Sequence, residues 1–281
     1  MQQFSVLMSI YKNETPSNFE YAMNSVLSQT LLPNEIVLIR DGRVARDLQD
    51  VIDDYLKNSI VPIKYIPLLE NEGLGNALRI GTIVASNQLI ARMDTDDICV
   101  PNRFELQMTA FRNNPKLDLL GGQVMEFDSN TSDIIGKRCV PTHNDEIKQY
   151  MKKRNPFSHP TVMFKKSSVI CAGNYRNRHY VEDYDLWCRM LQQGCYFENL
   201  PDTLVYMRTS PNLYKRRGGV RYFNSLKSLE LDKLHRGITT PFEYATVTLS
   251  RFVQCVLIRG NMRRFVYQKI LRRKSVPFLT K

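Results

Sequence analysis

The sequence predicts an α/β protein: a mostly parallel sheet with helices on both faces, followed by a basic helical C-terminal extension. Three observations predict it. Short apolar runs of strand length alternate with longer stretches whose apolar residues recur every three or four positions. Tyr11, Asp41 and Asp94 to Asp97 fall at the ends of three of those runs, and in such sheets ligands bind beyond the carboxyl ends of the strands. The charge is also unevenly placed. The net charge is +11, yet residues 1–214 carry 23 Lys+Arg against 25 Asp+Glu, while residues 215–281 carry 16 against 3. A near-neutral body over 1–214 and a basic region over 215–281 point to an anionic partner at the C-terminal end.

The elements follow in order. Phe4 to Tyr11 is a buried strand. Pro16-Ser17 opens a helix, with Pro suited to its first turn. Phe19, Ala22, Met23, Val26 and Leu27 make its buried face, and Leu31-Leu32-Pro33 ends it. Glu35 to Arg40 is a second strand, stopped by Asp41-Gly42. A helix striped by Leu48, Val51, Ile52, Tyr55 and Leu56 leads to a third strand, Val61 to Ile66. A Gly-punctuated helix from about Gly73 to Ala85 then leads to the fourth strand, Leu89 to Met93. Beyond Pro101 a helix carries Phe104, Met108 and Phe111. Leu117 to Phe127 is strand-like, with Gly121-Gly122 as a bend or close backbone approach. Residues 128–142 read as irregular, Thr161 to Phe164 as a strand, and Gly173-Asn174 as a turn. The run from Tyr180 to Leu191 reads as a helix with acids at its dipole-favoured start, ended by Gly194. Between Phe242 and Leu271 lie two amphipathic segments. Leu249, Phe252, Val253, Val256 and Leu257 form an apolar stripe, and Arg251, Arg259 and Arg263 lie on another face, followed by Arg272-Arg273-Lys274.

Composition excludes several classes. With 43% hydrophobic and 24% charged residues the chain is ordinary for a globular protein. Its six cysteines show no metal-ligand spacing, which fits reduced thiols in a cytosolic protein. Met1-Gln2-Gln3 enters a strand directly, so no signal peptide is expected. No uncharged apolar run approaches the ~18 residues of a spanning helix.

The chemistry concentrates at Asp94-Thr95-Asp96-Asp97. A strand interior cannot keep three carboxylates buried, so they belong where the strand ends and turns. Carboxylates this close repel one another unless a cation lies between them. Hard oxygen ligands, completed by water and phosphate, suit Mg²⁺ or Mn²⁺, so the run reads as a metal site holding a phosphorylated substrate. The plainer reading is a solvated acidic turn before the next helix. Tyr11 offers a ring for stacking on a base, or is a half-buried boundary residue. Asp41 offers a carboxylate to a pyrimidine imide N–H, or simply makes a turn with Gly42. Glu182-Asp183 is a carboxylate pair before an amphipathic helix, or its cap. His159 stands in a turn between Pro156 and Pro160, where a hydrogen-bonded structural histidine is the plain reading.

Taken in this order, the pieces resemble the family 2 glycosyltransferases of the GT-A fold. The carriers are Phe4 to Glu14, Glu35 to Gly42 (E-I-V-L-I-x-D-G), Asn71 to Leu78 (N-x-G-x-x-x-A), Asp94 to Asp97 (D-x-D-D) and Glu182 to Trp187 (E-D-x-D-L-W), spanning about residues 4–210. Asp94 to Arg103 (D-T-D-D-I-x-x-P-x-R) and Ser158 to Met163 are similar to the bacterial, amylovoran-type branch that assembles O-antigen and exopolysaccharide repeat units. The chain departs from the family pattern at Arg40 and Arg43, which flank Asp41-Gly42 where Asp-Asp-Gly-Ser is common, and at Leu78, where an Arg is common.

The resemblance implies an inverting transfer from a nucleotide-diphosphate sugar. Tyr11 and Asp41 would hold the base, most often uracil. Asp94 and Asp96 would hold ribose, diphosphate and Mn²⁺ or Mg²⁺, with Asp96 the direct ligand. Asp97 would bond the donor sugar or orient Asp96, and His159 would touch the diphosphate or the metal. Asp183 would be the base, with Glu182 its nearest competitor. The expected donor is UDP-glucose and the expected acceptor a GlcNAc carried on polyprenyl (undecaprenyl) diphosphate. The basic region would dock peripherally on the anionic cytoplasmic face of the inner membrane, or pack its stripe on the catalytic domain. Two rivals are weaker. A haloacid-dehalogenase-like phosphatase needs Thr or Val where Ile98 stands. A nucleic-acid binder, suggested by a pI of ≈ 9.4, lacks a recognisable motif and a basic body, so no nucleic-acid partner is expected.

Overall fold

The computed structural model describes residues 3–128, 131–209 and 218–258. Four strands, β1 (Phe4–Tyr11), β2 (Glu35–Asp41), β3 (Ile63–Pro67) and β4 (Leu89–Asp94), lie in the order β3-β2-β1-β4 and are all parallel. Parallel neighbours need crossovers, and the helices α1 (Pro16–Leu27), α2 (Arg46–Asn58) and α3 (Leu74–Val84) supply them. Thr15 caps α1 by accepting the N–H of Asn18, with Pro16 in the first turn.

β1 is buried on both faces, so its alternate residues feed two cores. Phe4, Val6, Met8 and Ile10 pack with Phe19, Met23 and Val26 of α1. Leu7 joins Val37, Ile39, Ala77 and Leu78 on the opposite face. The second core also takes in Trp187, fully buried and edge-on to Phe157 at 5.7 Å. The start of α3 needs glycine twice. Gly73 has φ +88, and a Cβ on Gly75 would strike the carbonyl of Arg176.

Beyond β4 the sheet becomes mixed. β8 (Met163–Lys165) runs antiparallel to both β4 and β6 (Leu117–Phe127), and β6 is parallel to β9 (Tyr196–Arg208). The two-residue β5 (Ile98–Cys99) pairs antiparallel with β9. β7 (Ile134–Arg138) lies on β6, inside the stretch expected to be irregular. The helices of this half are α4 (Arg103–Asn113), α5 (Asn144–Met151), α6 (Lys166–Cys171) and α7 (Glu182–Gln192). The expected strand at Thr161 is displaced, because His159–Thr161 forms a 3₁₀ turn.

β9, α5, α6 and α8 (Val220–His235) carried no assignment from the sequence. β9 hides behind Pro201-Asp202, a turn-like pair that the strand absorbs as an irregularity opposite Gly121 to Gln123. α8 seats Leu226 and Leu229 in the same core as Trp187. α9 (Pro241–Phe252) follows, opened by a capping box between Thr240 and Glu243, and runs into a π turn at Val253–Leu257. Of the expected apolar stripe, Leu249 and Leu257 are 64% and 60% exposed, while Val256 packs on the core. α9 touches the body through Arg251, which donates to the Lys153 carbonyl at 2.9 Å, and through a 3.5 Å pair between Glu243 and Lys152. The 214/215 boundary, Arg259, Arg263 and Arg272 to Lys274 lie outside the described residues.

Candidate active site

The carboxyl ends of β1, β2 and β4 open into a cleft of about 690 Å³. All eight residues singled out from the sequence line it: Tyr11, Asp41, Asp94, Asp96, Asp97, His159, Glu182 and Asp183.

At the acidic end, Asp94, Asp96 and Asp97 bring carboxylate oxygens within 4.8 Å of one another. Burial, with Asp94 and Glu14 close by, pushes Asp96 up to about 7. Asp97 is fully buried. Burial, then Asp96 and Asp94, raises it well above the usual carboxylate range, although the Arg208 N–H donates to Oδ1 at 2.8 Å. Its Oδ2 has no partner. A buried, unsatisfied oxygen beside two further carboxylates fits a hard divalent cation, so the donor set suits Mg²⁺ or Mn²⁺. The turn is fixed from three sides. Thr95 donates to Glu14 at 2.7 Å, Arg208 Nε donates to the Asp96 carbonyl at 3.2 Å, and Asp94 is gripped by both terminal nitrogens of Arg92. Arg92, itself buried, was missed by the sequence reading. Its signal was a lone cation in an apolar strand, two residues before Asp94 and so on the same face.

At the tip of β1, Tyr11 is half-buried. Asp41 organises the loop before α3: it accepts the N–H groups of Glu72 (2.7 Å) and Gly73 (3.0 Å) and the Asn71 amide (2.9 Å). Burial still raises its pKa. Three bonds leave part of its accepting capacity for a ligand. Gly42 lies under this loop with φ +82, and a Cβ there would sit 2.8 Å from the Asn71 nitrogen.

The carboxylate pair faces the cleft from the first turn of α7. Asp183 accepts the Asn155 amide at 2.6 Å and the Tyr184 N–H at 2.7 Å. Burial raises its pKa against those two bonds. Glu182 is pushed to about 7 by burial and by Asp183, and its Oε2 has no partner. The chain enters the pair through Tyr180, a non-glycine residue at φ +73 with its ring edge-on to Tyr222 at 5.3 Å. His159 sits against Tyr175, 3.0 Å from Nε2 to the hydroxyl. Burial, and then Arg92, holds its pKa well below the usual imidazole value, so the ring is neutral. Asn155, Arg138 and Arg154 also line the cleft and carried no signal in the sequence reading, and Arg251, read there as part of the basic face of the C-terminal segment, lines it too.

A parallel half-sheet that ends in a cleft with an acidic cluster and a facing carboxylate pair defines a glycosyltransferase of the GT-A fold. The chain belongs to glycosyl transferase family 2, whose model matches residues 5–173, and to the branch that builds O-antigen and exopolysaccharide repeat units. It is 36% identical over 267 residues to the amylovoran biosynthesis glycosyltransferase AmsE of Erwinia amylovora, covering 95% of this chain and 98% of that one. It is 36% identical over 271 residues to the Escherichia coli UDP-Gal:alpha-D-GlcNAc-diphosphoundecaprenol beta-1,3-galactosyltransferase, covering 96% and 97%. Among solved structures, S. aureus TarS 1-349 in complex with UDP-GlcNAc aligns with a TM-score of 0.64 at 15% identity, over 90% of this chain and 73% of that one. The mannosyltransferase PcManGT from Pyrobaculum calidifontis, in complex with GDP-Man and Mn²⁺, aligns with a TM-score of 0.64 at 12% identity, over 90% and 70%.

Proposed function

We propose that this glycosyltransferase is an inverting hexosyltransferase that moves a hexose from a UDP-sugar, in β-linkage, to a GlcNAc carried on undecaprenyl diphosphate. The observation that carries the reading is that the Asp94, Asp96, Asp97 cluster and the Asp183 carboxylate line one cleft. The acceptor expected from the sequence agrees with the one in the E. coli relative's name. The donor expected was UDP-glucose and that relative's is UDP-Gal, so these two hexoses are the pair to compare.

Asp183 is the base. It takes the proton of the acceptor hydroxyl as the oxygen bonds the anomeric carbon, while the bond from that carbon to the diphosphate breaks and UDP leaves from the opposite face. One displacement inverts an α-linked donor to a β-product. The Asn155 amide and the Tyr184 N–H fix the orientation of this carboxylate. Tyr11 stacks on the uracil, Asp41 takes its imide N–H, and neutral His159 donates toward the diphosphate. Asp96, with Asp94 and Asp97, would hold Mn²⁺ or Mg²⁺, which supplies neutralising charge for a departing diphosphate.

The enzyme works at the cytoplasmic face of the inner membrane, where its acceptor resides. No helix among the described residues is long and apolar enough to cross a membrane. The reading is peripheral: the sugar transfer belongs to the 1–214 body with α8 packed into its core, and the basic 215–281 region docks through the exposed apolar residues of α9 against anionic lipid. A chain ending at residue 240 should pellet less with anionic liposomes than the full chain; equal pelleting overturns the docking claim.

The class and donor are tested together with purified protein, a panel of UDP- and GDP-sugars, Mn²⁺ or EDTA, and synthetic GlcNAc-diphosphate-lipid. Metal-dependent transfer from one UDP-hexose, lost in Asp96→Ala and Asp183→Ala, is the expected result. Transfer that persists in EDTA or in Asp183→Ala would overturn the mechanism.

A further inference from the structure

The cleft is lined by carboxylates and by arginines. Arg92 and Arg208 are committed to the acidic turn, and three further arginines, Arg138, Arg154 and Arg251, line it as well. These three come from β7, the loop after α5, and α9, yet they meet at one short stretch of chain, residues 153–157. Arg138 donates to the carbonyls of Phe157 (2.8 Å) and Asn155 (3.3 Å), and Arg251 donates to that of Lys153 (2.9 Å). Arg154 and Asn155 sit between those anchors, and Asn155 is the residue that bonds Asp183. The same stretch begins with Lys152-Lys153, of which Lys152 is paired with Glu243. The base is thus tied directly to a cationic loop. The charge also reaches it: Arg138 favours the ionised form of Asp183, and Arg251 that of Tyr184.

An anion that entered the cleft with the acceptor would meet these three guanidinium groups beside the base. We infer that Arg138, Arg154 and Arg251 form a diphosphate subsite that recognises the acceptor by its own phosphates and delivers its sugar hydroxyl to Asp183. The inference rests on the proposed lipid-diphosphate acceptor. Arginine suits the task, since its planar fork matches phosphate oxygens bidentately. The apolar remainder of such an acceptor has a continuation close by. Tyr222 and Leu226 of α8 line the same cleft, and Arg251 is flanked in α9 by the exposed Leu249 and Phe252.

The test compares two acceptors: synthetic GlcNAc-α-diphosphate-lipid, and the same GlcNAc joined to the same lipid without the diphosphate. KM is measured for each acceptor and for the UDP-sugar in wild type, Arg154→Gln and Arg251→Gln, with UDP retention confirming that the variants fold. The wild type should favour the diphosphate acceptor. Each variant should raise the KM for that acceptor by about tenfold, the scale of one charge-assisted hydrogen bond. KM for the diphosphate-free acceptor and for the donor should stay within about twofold, inside ordinary surface-substitution effects. Equal use of both acceptors by the wild type overturns the subsite while leaving the transferase reading intact. So does a rise in donor KM, which would assign these arginines to UDP. Failure of the wild type on both acceptors overturns the acceptor reading and the subsite with it.

Discussion

The two ends of the cleft are built by different means. The acidic end stands on strand tips: Asp41 closes β2 and Asp94 closes β4, so parallel register alone brings them together. The end beyond Asp183 has no such frame. It is assembled from a loop, a helix start and a helical pair, and side chains bonding to carbonyls hold it: Asn155, Arg138, Arg251 and the buried Lys233, whose Nζ donates to the Lys152 carbonyl at 2.8 Å. Strand register sets the placement at one end, and side-chain contacts set it at the other.

Removing one carboxylate at each end breaks the comparison most sharply. Asp96→Asn and Asp183→Asn should each lower transfer by about 10³-fold, the range of a lost base or metal ligand. Only Asp96→Asn should also abolish metal-dependent binding of the UDP-sugar, measured by calorimetry. Equal loss of donor affinity in both variants would erase the division of labour.

Stability tests come next in size. Arg92→Met leaves Asp94, a third exposed, beside two other carboxylates without the Arg92 charge, and should cost about 3 kcal/mol in urea unfolding, the upper end for hydrogen bonds between charged groups. Adding Asp94→Asn should restore much of it. Lys233→Met strands Glu230, fully buried and 2.6 Å from the lysine, and should cost about 3 kcal/mol. It should also lower kcat, because Lys233 holds the hydroxyl of Tyr184, the neighbour of Asp183. An unchanged kcat in a folded variant would show that the helical pair supports the fold without aiming the base.

The smallest effect has a defined sign. Glu182 rises from 4.5 to about 7 on folding. Between those values the folded state holds the proton that the unfolded chain has released, so stability falls as pH rises through the window. Glu182→Gln removes this loss. It should stabilise the protein at pH 8 by on the order of 2 kcal/mol and leave it unchanged near pH 4. A gain in melting temperature of equal size at both pH values would refute the buried, proton-linked Glu182.

The same contrast decides what could be read in advance. Asp41 and Asp94 to Asp97 were legible because an apolar run ending in acids has few physical solutions. Glu182-Asp183 was legible as a pair on a helix start. Its supports were not: nothing in Lys153-Arg154-Asn155 distinguishes a loop that grips a carboxylate from any polar loop until Arg138 and Arg251 fold onto it. β9 escaped because Pro201-Asp202 reads as a turn, and only pairing with β6 on either side of the irregularity makes it a strand. β7, five edge residues ending in Lys137-Arg138, had no apolar alternation to give it away.

The buried α8 carries a practical consequence for making this protein. Leu226 and Leu229 belong to the core that holds Trp187, each contributing about 2 kcal/mol of burial, and Lys233 bonds the Lys152 carbonyl, the Tyr184 hydroxyl and Glu230. A recombinant chain trimmed to the best-matched stretch, residues 5–173, or stopped before residue 218, would expose that apolar surface and aggregate. A chain stopped near residue 240 keeps α8 but loses Arg251 from the cleft and Cys255 and Val256 from the core, so shortened proteins for crystallisation, and fusions carrying a solubility tag, are better ended beyond Leu257.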